Sequence, residues 1–370
     1  MLILAADIGT GTQDILLYDS EKEVENSLIM VMPAPTRIIA EKVRKATGEG
    51  KAIVLTGDIM GGGPSAFAIR DHLEAGFRVY ATEKAALTIH DSIEKVKDFG
   101  LLLVSEAEAK RLVNEENALN IVMRDFDPEA VSSALSIFEV PMPENYAVAV
   151  QDHGNAPEIS NRIYRFELFK ELIDRGGKLE NFVYRPEGIP EAFTRMKAQA
   201  ISLHESFGNR KIRSVFMDTG PAAVFGALTD PAAVQPSIVI NIGNGHTLGA
   251  LVLENRITAL FEHHSFLMNP EKLQDYIIRL ADGKLGFDEV FSDGGHGAYV
   301  KEALGFEQVR SIMVTGPKRE MLGKLPDSEI LPEILNKLHF AAPFGSMMLS
   351  GCFGLLAGFS EKYPESSINL

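Results

Sequence analysis

The chain has 370 residues, 45% of them hydrophobic, and a formal net charge of -15. That is long enough for two domains, ordinary for a globular protein, and too acidic to expect a nucleic-acid partner. Cys352 is the sole cysteine, which excludes an intrachain disulfide and any site built from several thiolates, and agrees with a reducing, cytoplasmic setting. Met1 to Ala6 lacks a basic flank and meets Asp7 too early to read as a signal peptide.

In chain order, Leu2 to Ala6, Asp14 to Tyr18 and Ser27 to Met32 read as strands, with Gly9 to Thr12 as the first turn. A helix follows from Pro35 to about Lys45, then a buried strand at Ala52 to Thr56, a helix opening at Pro64 and a strand at Phe77 to Ala81. The stretch near 82–144 is expected to be a mostly helical insertion. Its acidic run from Glu106 to Glu116 reads as a solvated helix face. A strand returns at Tyr146 to Val150 and ends in Gln151-Asp152-His153-Gly154, followed by helices near 159–175 and 190–206. Ser214 to Met217 is a short strand ending at Asp218, and Gly220 to Leu228 a small-residue helix. From Ser237 the opening pattern recurs: strand Ile238 to Ile242, turn Gly243 to Gly245, strands Thr247 to Leu253 and Ile257 to Phe261. This second copy of the first hairpin places a domain boundary near residue 230. Phe340 to Ser360 carries no charge and approaches the length of a membrane span, but Pro343 and its four glycines argue for a buried helix.

The two hairpins carry a family resemblance. Asp7-Ile8-Gly9-Thr10-Gly11-Thr12-Gln13 resembles the first phosphate loop of the actin-like superfamily, which includes sugar and acetate kinases, heat-shock chaperone ATPases and actin. Asn241-Ile242-Gly243-Asn244-Gly245-His246-Thr247 resembles the second. The chemistry agrees, because a Gly/Thr turn exposes successive amides that cradle phosphate oxygens without added positive charge. The resemblance implies an α/β fold of two ribonuclease H-like domains, 1–230 and 231–370, around a cleft, with the final helix from Ala341 returning to the hinge. It further implies ATP and Mg²⁺ as cofactors, the metal held by Asp7, and Asp218 near the position where carbohydrate kinases of the group carry their base. The turn Ser311 to Pro317 is similar to the adenosine-contacting segment, with Gly316 against the nucleoside. Asn241 departs from the Asp of many relatives, and Thr219-Gly220 from the Glu of the chaperones.

Five histidines form a second constellation. His153, His246, His263, His264 and His296 stand beside glycines, acids or one another at strand ends and turns, and three or more are expected to converge at the domain interface. Imidazole there suits a transition metal, proton transfer or substrate binding. Gly57 to Ser65 ends a strand and opens a helix, the setting in which free amides hold the acidic end of a substrate.

The first expectation is an ATP- and Mg²⁺-dependent phosphotransferase acting on a small molecule, with Asp218 as base and Asp152 as the alternative. The rivals are an ATP-driven activator or switch that a partner enzyme reads, and a non-catalytic relative with a histidine-lined site. The chain also resembles an uncharacterised family labelled as pyruvate formate-lyase activating enzyme. Such radical chemistry needs a cluster on three closely spaced cysteines, which one cysteine cannot hold.

Overall fold

A computed structural model of the protein describes residues 1–115, 118–155, 159–326, 329–366, 368 and 370. Strand β1 (Leu2–Ile8) is buried along nearly its whole length, as expected of a continuous apolar run with neighbours on both sides. It pairs antiparallel with β2 (Thr12–Asp19), which sets Asp7 directly opposite Asp14, and β2 pairs with β3 (Leu28–Pro33).

The chain then leaves this sheet. Helix Pro35–Gly48 opens on a proline whose missing N–H would have been unpaired in any case. It leads to β4 (Ile53–Gly57), β5 (Val79–Ala81), β6 (Leu102–Leu103) and β7 (Leu119–Met123), a separate parallel sheet in the order β6-β5-β4-β7. It has its own core around Ile39, Val43, Ile53 and Ile121. Helices outnumber strands over 82–144, so the structure changes the bounds of the expected insertion rather than its mainly helical content. The insertion begins at residue 35, contains β6 and β7 beside its helices, and captures β4 and β5. A strand's sheet membership depends on its hydrogen-bond partner, which its own apolar pattern does not encode. The acidic run is a helix over Glu106–Glu115, and Glu116 lies outside the described residues.

The first sheet resumes with β8 (Asn145–Val150), parallel to β1, and closes with β10 (Arg213–Met217) flanked by β9 (Val183–Tyr184). Its order is β3-β2-β1-β8-β10-β9. Helix Thr219–Ala227 then leads to the second sheet: β11 (Ser237–Ile242), β12 (His246–Leu253), β13 (Arg256–His264), β14 (Gly297–Val300), β15 (Ser311–Thr315) and β16 (Leu338–Phe340). The order is β14-β13-β12-β11-β15-β16, with β11–β12–β13 antiparallel and β15 parallel to β11. Both halves therefore place an antiparallel three-strand meander beside parallel strands, with the meander's first strand in the middle. This duplicated ribonuclease H-like order is the actin-like ATPase fold.

Two helices join the halves. Helices Thr219–Ala227 and Ser350–Lys362 cross so closely that a Cβ on Gly226 would lie 1.6 Å from the Ser350 carbonyl oxygen, and one on Gly354 would lie 1.9 Å from that of Ala222. Glycine is required at both places. The final helix starts at Ser350 rather than Ala341. Pro343–Gly345 forms a tight turn first, which removes the expected single helix over Phe340 to Ser360. No helix among the described residues is long and apolar enough to cross a membrane.

Candidate functional site

The two hairpin turns face each other across the cleft. Gly9 donates its N–H to the Thr12 carbonyl and Gly243 donates to that of His246, so each turn is self-closed. The amides of Thr10, Gly11, Asn244 and Gly245 have no partner among the described residues. The turns touch: a Cβ at Gly11 would lie 2.1 Å from the Asn244 Nδ2, and one at Gly245 would lie 3.3 Å from the Thr10 hydroxyl.

Behind them is a cavity of about 100 Å³ lined by Asp7, Asp14, Asn241, Thr219, Gly316 and Gly351, among others. Small-molecule pockets usually run to roughly 300–1,000 Å³, so with the turns in contact this cavity is too small for a ligand of that class. Gly316 follows β15 with φ +95°, and a Cβ there would meet the Asn241 Oδ1 at 2.6 Å. Asn241 is thus held on the floor of the cavity. Asp7 is pressed from below by the final helix, where a Cβ on Gly351 would lie 1.9 Å from its Oδ2.

The carboxylates carry the electrostatic signature. Asp7 Oδ1 and Asp14 Oδ1 are both buried without a hydrogen-bond partner. Burial, then the charges of Asp14 and Asp218, hold Asp7 well above the usual carboxylate range. Burial likewise pushes Asp14 up to about 7, against a weak lowering by the Thr12 hydroxyl. Two unpartnered buried carboxylate oxygens on facing strands are the donor type that a hard divalent cation takes. The residues fit Mg²⁺.

A second, larger chamber of about 610 Å³ adjoins the first and shares Gly9, Thr10, Gln151, Thr219, Gly245 and His246 with it. It opens toward the inserted sheet, where Gly61 to Gly63 precede helix Pro64–Glu74 and line its wall. Arg195 lies on Gly61, a Cβ there meeting its Nη2 at 2.6 Å, and Arg195 is held by both oxygens of Asp125. Asp152 lines this chamber, its Oδ1 accepting from the Gly154 amide and its Oδ2 from the Met196 amide. Burial raises it to about 6 in spite of those bonds.

Four of the five singled-out histidines come together in the chamber. The His246 ring centroid lies 5.7 Å from that of His153, 4.8 Å from His264 and 4.8 Å from His296. Burial holds His153 well below its ordinary pKa, His246 at about 4 and His296 at about 3. All three are neutral near pH 7. His263 turns away, with Nε2 3.0 Å from the Asp293 Oδ2 and Nδ1 against the His264 carbonyl. Neighbours along a strand point to opposite faces, which separates His263 from His264.

Asp218 sits differently from the expectation. It accepts from the amides of Gly220 and Asp152 and from Arg165 Nη1 and Nη2, at 2.7 to 3.1 Å. Four donors fill its acceptor sites. Asp218 is not among the residues lining either cavity, so the geometry withdraws it from the role of free base. Three of the expected phosphate-loop residues also stand off the small cavity. Gln13 donates to the Pro33 carbonyl, Thr247 bonds Ser265, and Gly11 is covered by Asn244.

The sequence reading missed Arg165. Its guanidinium also bonds both oxygens of Glu262 on β13, at 2.7 and 3.0 Å, and so ties the first half to the second through a fully buried network. Burial alone would raise Glu262, but Arg165 outweighs it and holds that carboxyl far below its usual range. Asp14 and Gln151 were likewise missed, although Asp14 is the residue that an antiparallel hairpin must place opposite Asp7.

Residues 60–321 match the family described as "Putative pyruvate format-lyase activating enzyme (DUF1786)". The chain belongs to this family. No curated protein matches it. Among solved structures it is similar to the ethanolamine utilization protein EutJ from Carboxydothermus hydrogenoformans, at 10% identity over 96% of this chain and 89% of that one, with a TM-score of 0.29. It is also similar to a ROK hexokinase from Thermus thermophilus, at 11% identity over 99% and 100% with a TM-score of 0.35. A glycerol dehydratase reactivase gives 10% identity over 98% and 100% with a TM-score of 0.27. Likenesses at such scores carry no argument, and the fold assignment rests on the chain's own strand order.

Proposed function

We propose that the protein is an ATP- and Mg²⁺-dependent phosphotransferase whose acceptor is a small molecule bound in the larger chamber. The observation that carries this reading is the Asp7–Asp14 pair with its two unpartnered buried oxygens, set between two Gly/Thr turns whose free amides face each other. Asp7 and Asp14 would hold the metal, which neutralises charge developing on a transferred phosphoryl group. The amides of Thr10, Asn244 and Gly245 would take the phosphate oxygens, with Gly316 and Asn241 on the nucleoside side. Asp152, which lines the acceptor chamber and retains acceptor capacity on both oxygens, takes the proton from the acceptor hydroxyl in place of Asp218. The N-terminus of helix Pro64–Glu74 and Arg162 give the chamber a preference for an acceptor carrying an acidic group. The activity in the family's description fits less well, because one buried cysteine cannot carry a three-cysteine cluster within this chain.

Isothermal titration with Mg²⁺ and a non-hydrolysable ATP analogue tests the reading. Saturable binding is expected, weakened at least about tenfold by Asp7→Ala, as the loss of one charge-assisted contact implies. No heat and no thermal shift at millimolar analogue overturns it. With a substrate in hand, Asp152→Asn should lower kcat by about 10²–10⁴ while leaving nucleotide affinity nearly intact.

A further inference from the structure

We infer that His153, His246 and His296 form a three-imidazole site for a borderline divalent transition metal of the Zn²⁺ type, distinct from the Asp7–Asp14 pair and closed only when the two halves of the fold meet. One ligand nitrogen from each of the three rings lies within 4.8 Å of the other two. An ion at the centre of a triangle with edges of that length would sit about 2.8 Å from each nitrogen. Zn–N bonds are about 2.0–2.1 Å, so each ring closes by about 0.7 Å, within the reach of small side-chain rotations.

The second observation is that these rings are unsatisfied as they stand. His246 Nε2 and both ring nitrogens of His296 are buried without a hydrogen-bond partner, although His296 Nδ1 lies 3.2 Å from a Glu262 oxygen. Buried polar nitrogens without a partner, as at His246 Nε2 and His296 Nε2, carry an uncompensated desolvation cost. A metal removes that cost at the nitrogens it binds. The outer shell is of the kind that orients ligating imidazoles: the Gln151 side-chain amide lies 2.9 Å from His246 Nδ1, and Glu262, fixed by Arg165, stands at His296 Nδ1. With the Gln151 amide oxygen turned to that ring, as an amide flip allows, Nδ1 of His246 carries the proton and its Nε2 keeps a lone pair for a metal.

The ligands come from both halves of the molecule. His153 follows β8 in the first sheet, whereas His246 opens β12 and His296 precedes β14 in the second. An ion held by all three therefore fastens the closed cleft. Three imidazoles leave at least one coordination position directed into the 610 Å³ chamber, the arrangement of a zinc site that activates water or polarises a bound oxygen. This inference stands apart from the nucleotide reading, because it uses none of the phosphate-loop carboxylates.

The test is metal uptake by chelator-treated full-length protein. Titration with Zn²⁺ in excess Mg²⁺ should give one equivalent per chain, and Co²⁺ in its place should give visible d–d absorption of an imidazole-ligated ion. His153→Ala, His246→Ala and His296→Ala should each weaken Zn²⁺ binding by about 100-fold or more, Gln151→Ala by about 10–100-fold as for an outer-shell partner, and exposed His339→Ala not at all. Circular dichroism checks that each variant folds. Should the buried His296 variant unfold, the other two and the Co²⁺ spectrum of the unaltered protein decide. Uptake far below one equivalent, the absence of a Co²⁺ band, or Zn²⁺ binding retained by His153→Ala and His246→Ala overturns the inference and leaves the rings as hydrogen-bond partners of a substrate.

Discussion

The two cavities of the cleft share a wall and are short of the same thing for opposite reasons. In the small cavity, burial pushes carboxyl groups up, so that Asp14 titrates at about 7 and Asp7 stays well above its usual range. In the larger chamber, burial pushes imidazoles down, with His246 at about 4 and His296 at about 3. Desolvation penalises whichever form carries charge, so it keeps acids protonated and bases neutral. Both groups present buried polar atoms without a hydrogen-bond partner, and the buried guanidiniums nearby are taken up by Asp218, Glu262 and Asp125. A cation relieves each, and donor chemistry sorts the cations: oxygen pairs favour a hard ion, imidazoles a borderline one.

Arg165 lines neither cavity but braces both, bonding Glu262 of the smaller one's lining and the carbonyl of Asp152 in the larger one's, and its removal should have the largest effect. It is fully buried and neutralises Asp218 and Glu262 at once. Arg165→Met should therefore cost about 3–5 kcal/mol, the usual range when one partner of a buried pair is lost. Urea denaturation measures it. A loss below about 0.5 kcal/mol would show that the two carboxylates find other partners and that the cavities are not braced by this residue.

An intermediate effect should separate the cavities. Gly351→Ala places a methyl where Asp7 Oδ2 now lies, so it should displace that carboxylate and lower Mg²⁺–nucleotide affinity about tenfold or more, the scale of 1.4 kcal/mol. Zn²⁺ uptake should stay unchanged, since Gly351 does not line the histidine chamber. Equal loss of both activities would show one coupled site.

The smallest effect is a pH dependence with two arms. The folded-state pKa of the imidazoles lies below the unfolded value of about 6.5, so their stabilisation is present above that pH and is lost as pH falls toward 4 to 3. Asp14 and Asp152 are raised instead, to about 7 and 6. Their contribution is present at low pH and lost as pH rises through those values. Melting temperature against pH should fall by a few degrees at each end in chelator. Mg²⁺ should flatten the alkaline arm alone, and Zn²⁺ should raise the neutral plateau and steepen the acid arm. A single cation that alters both arms alike would break the distinction.

The duplicated Gly/Thr hairpins, Asp7 before the first turn, Asn241 before the second and Gly316 after a buried strand are all local patterns, and each is legible in the amino-acid sequence because strand alternation and turn chemistry act over a few residues. The grouping of histidines at glycine-flanked strand ends is legible for the same reason: strand ends on the same edge of paired sheets face one cleft. What tertiary structure alone decided depends on partners far away in the chain. Whether β4 and β5 extend the first sheet or found another depends on hydrogen bonds to β7, whose sequence is unremarkable. Asp218 looks like a base until Arg165, 53 residues away, fills its oxygens. His263 and His264 read alike in sequence and part because adjacent strand residues face opposite ways. Hydrogen bonds and ion pairs saturate, so a polar residue's chemistry is set by which partners reach it first, and only the assembled fold determines that.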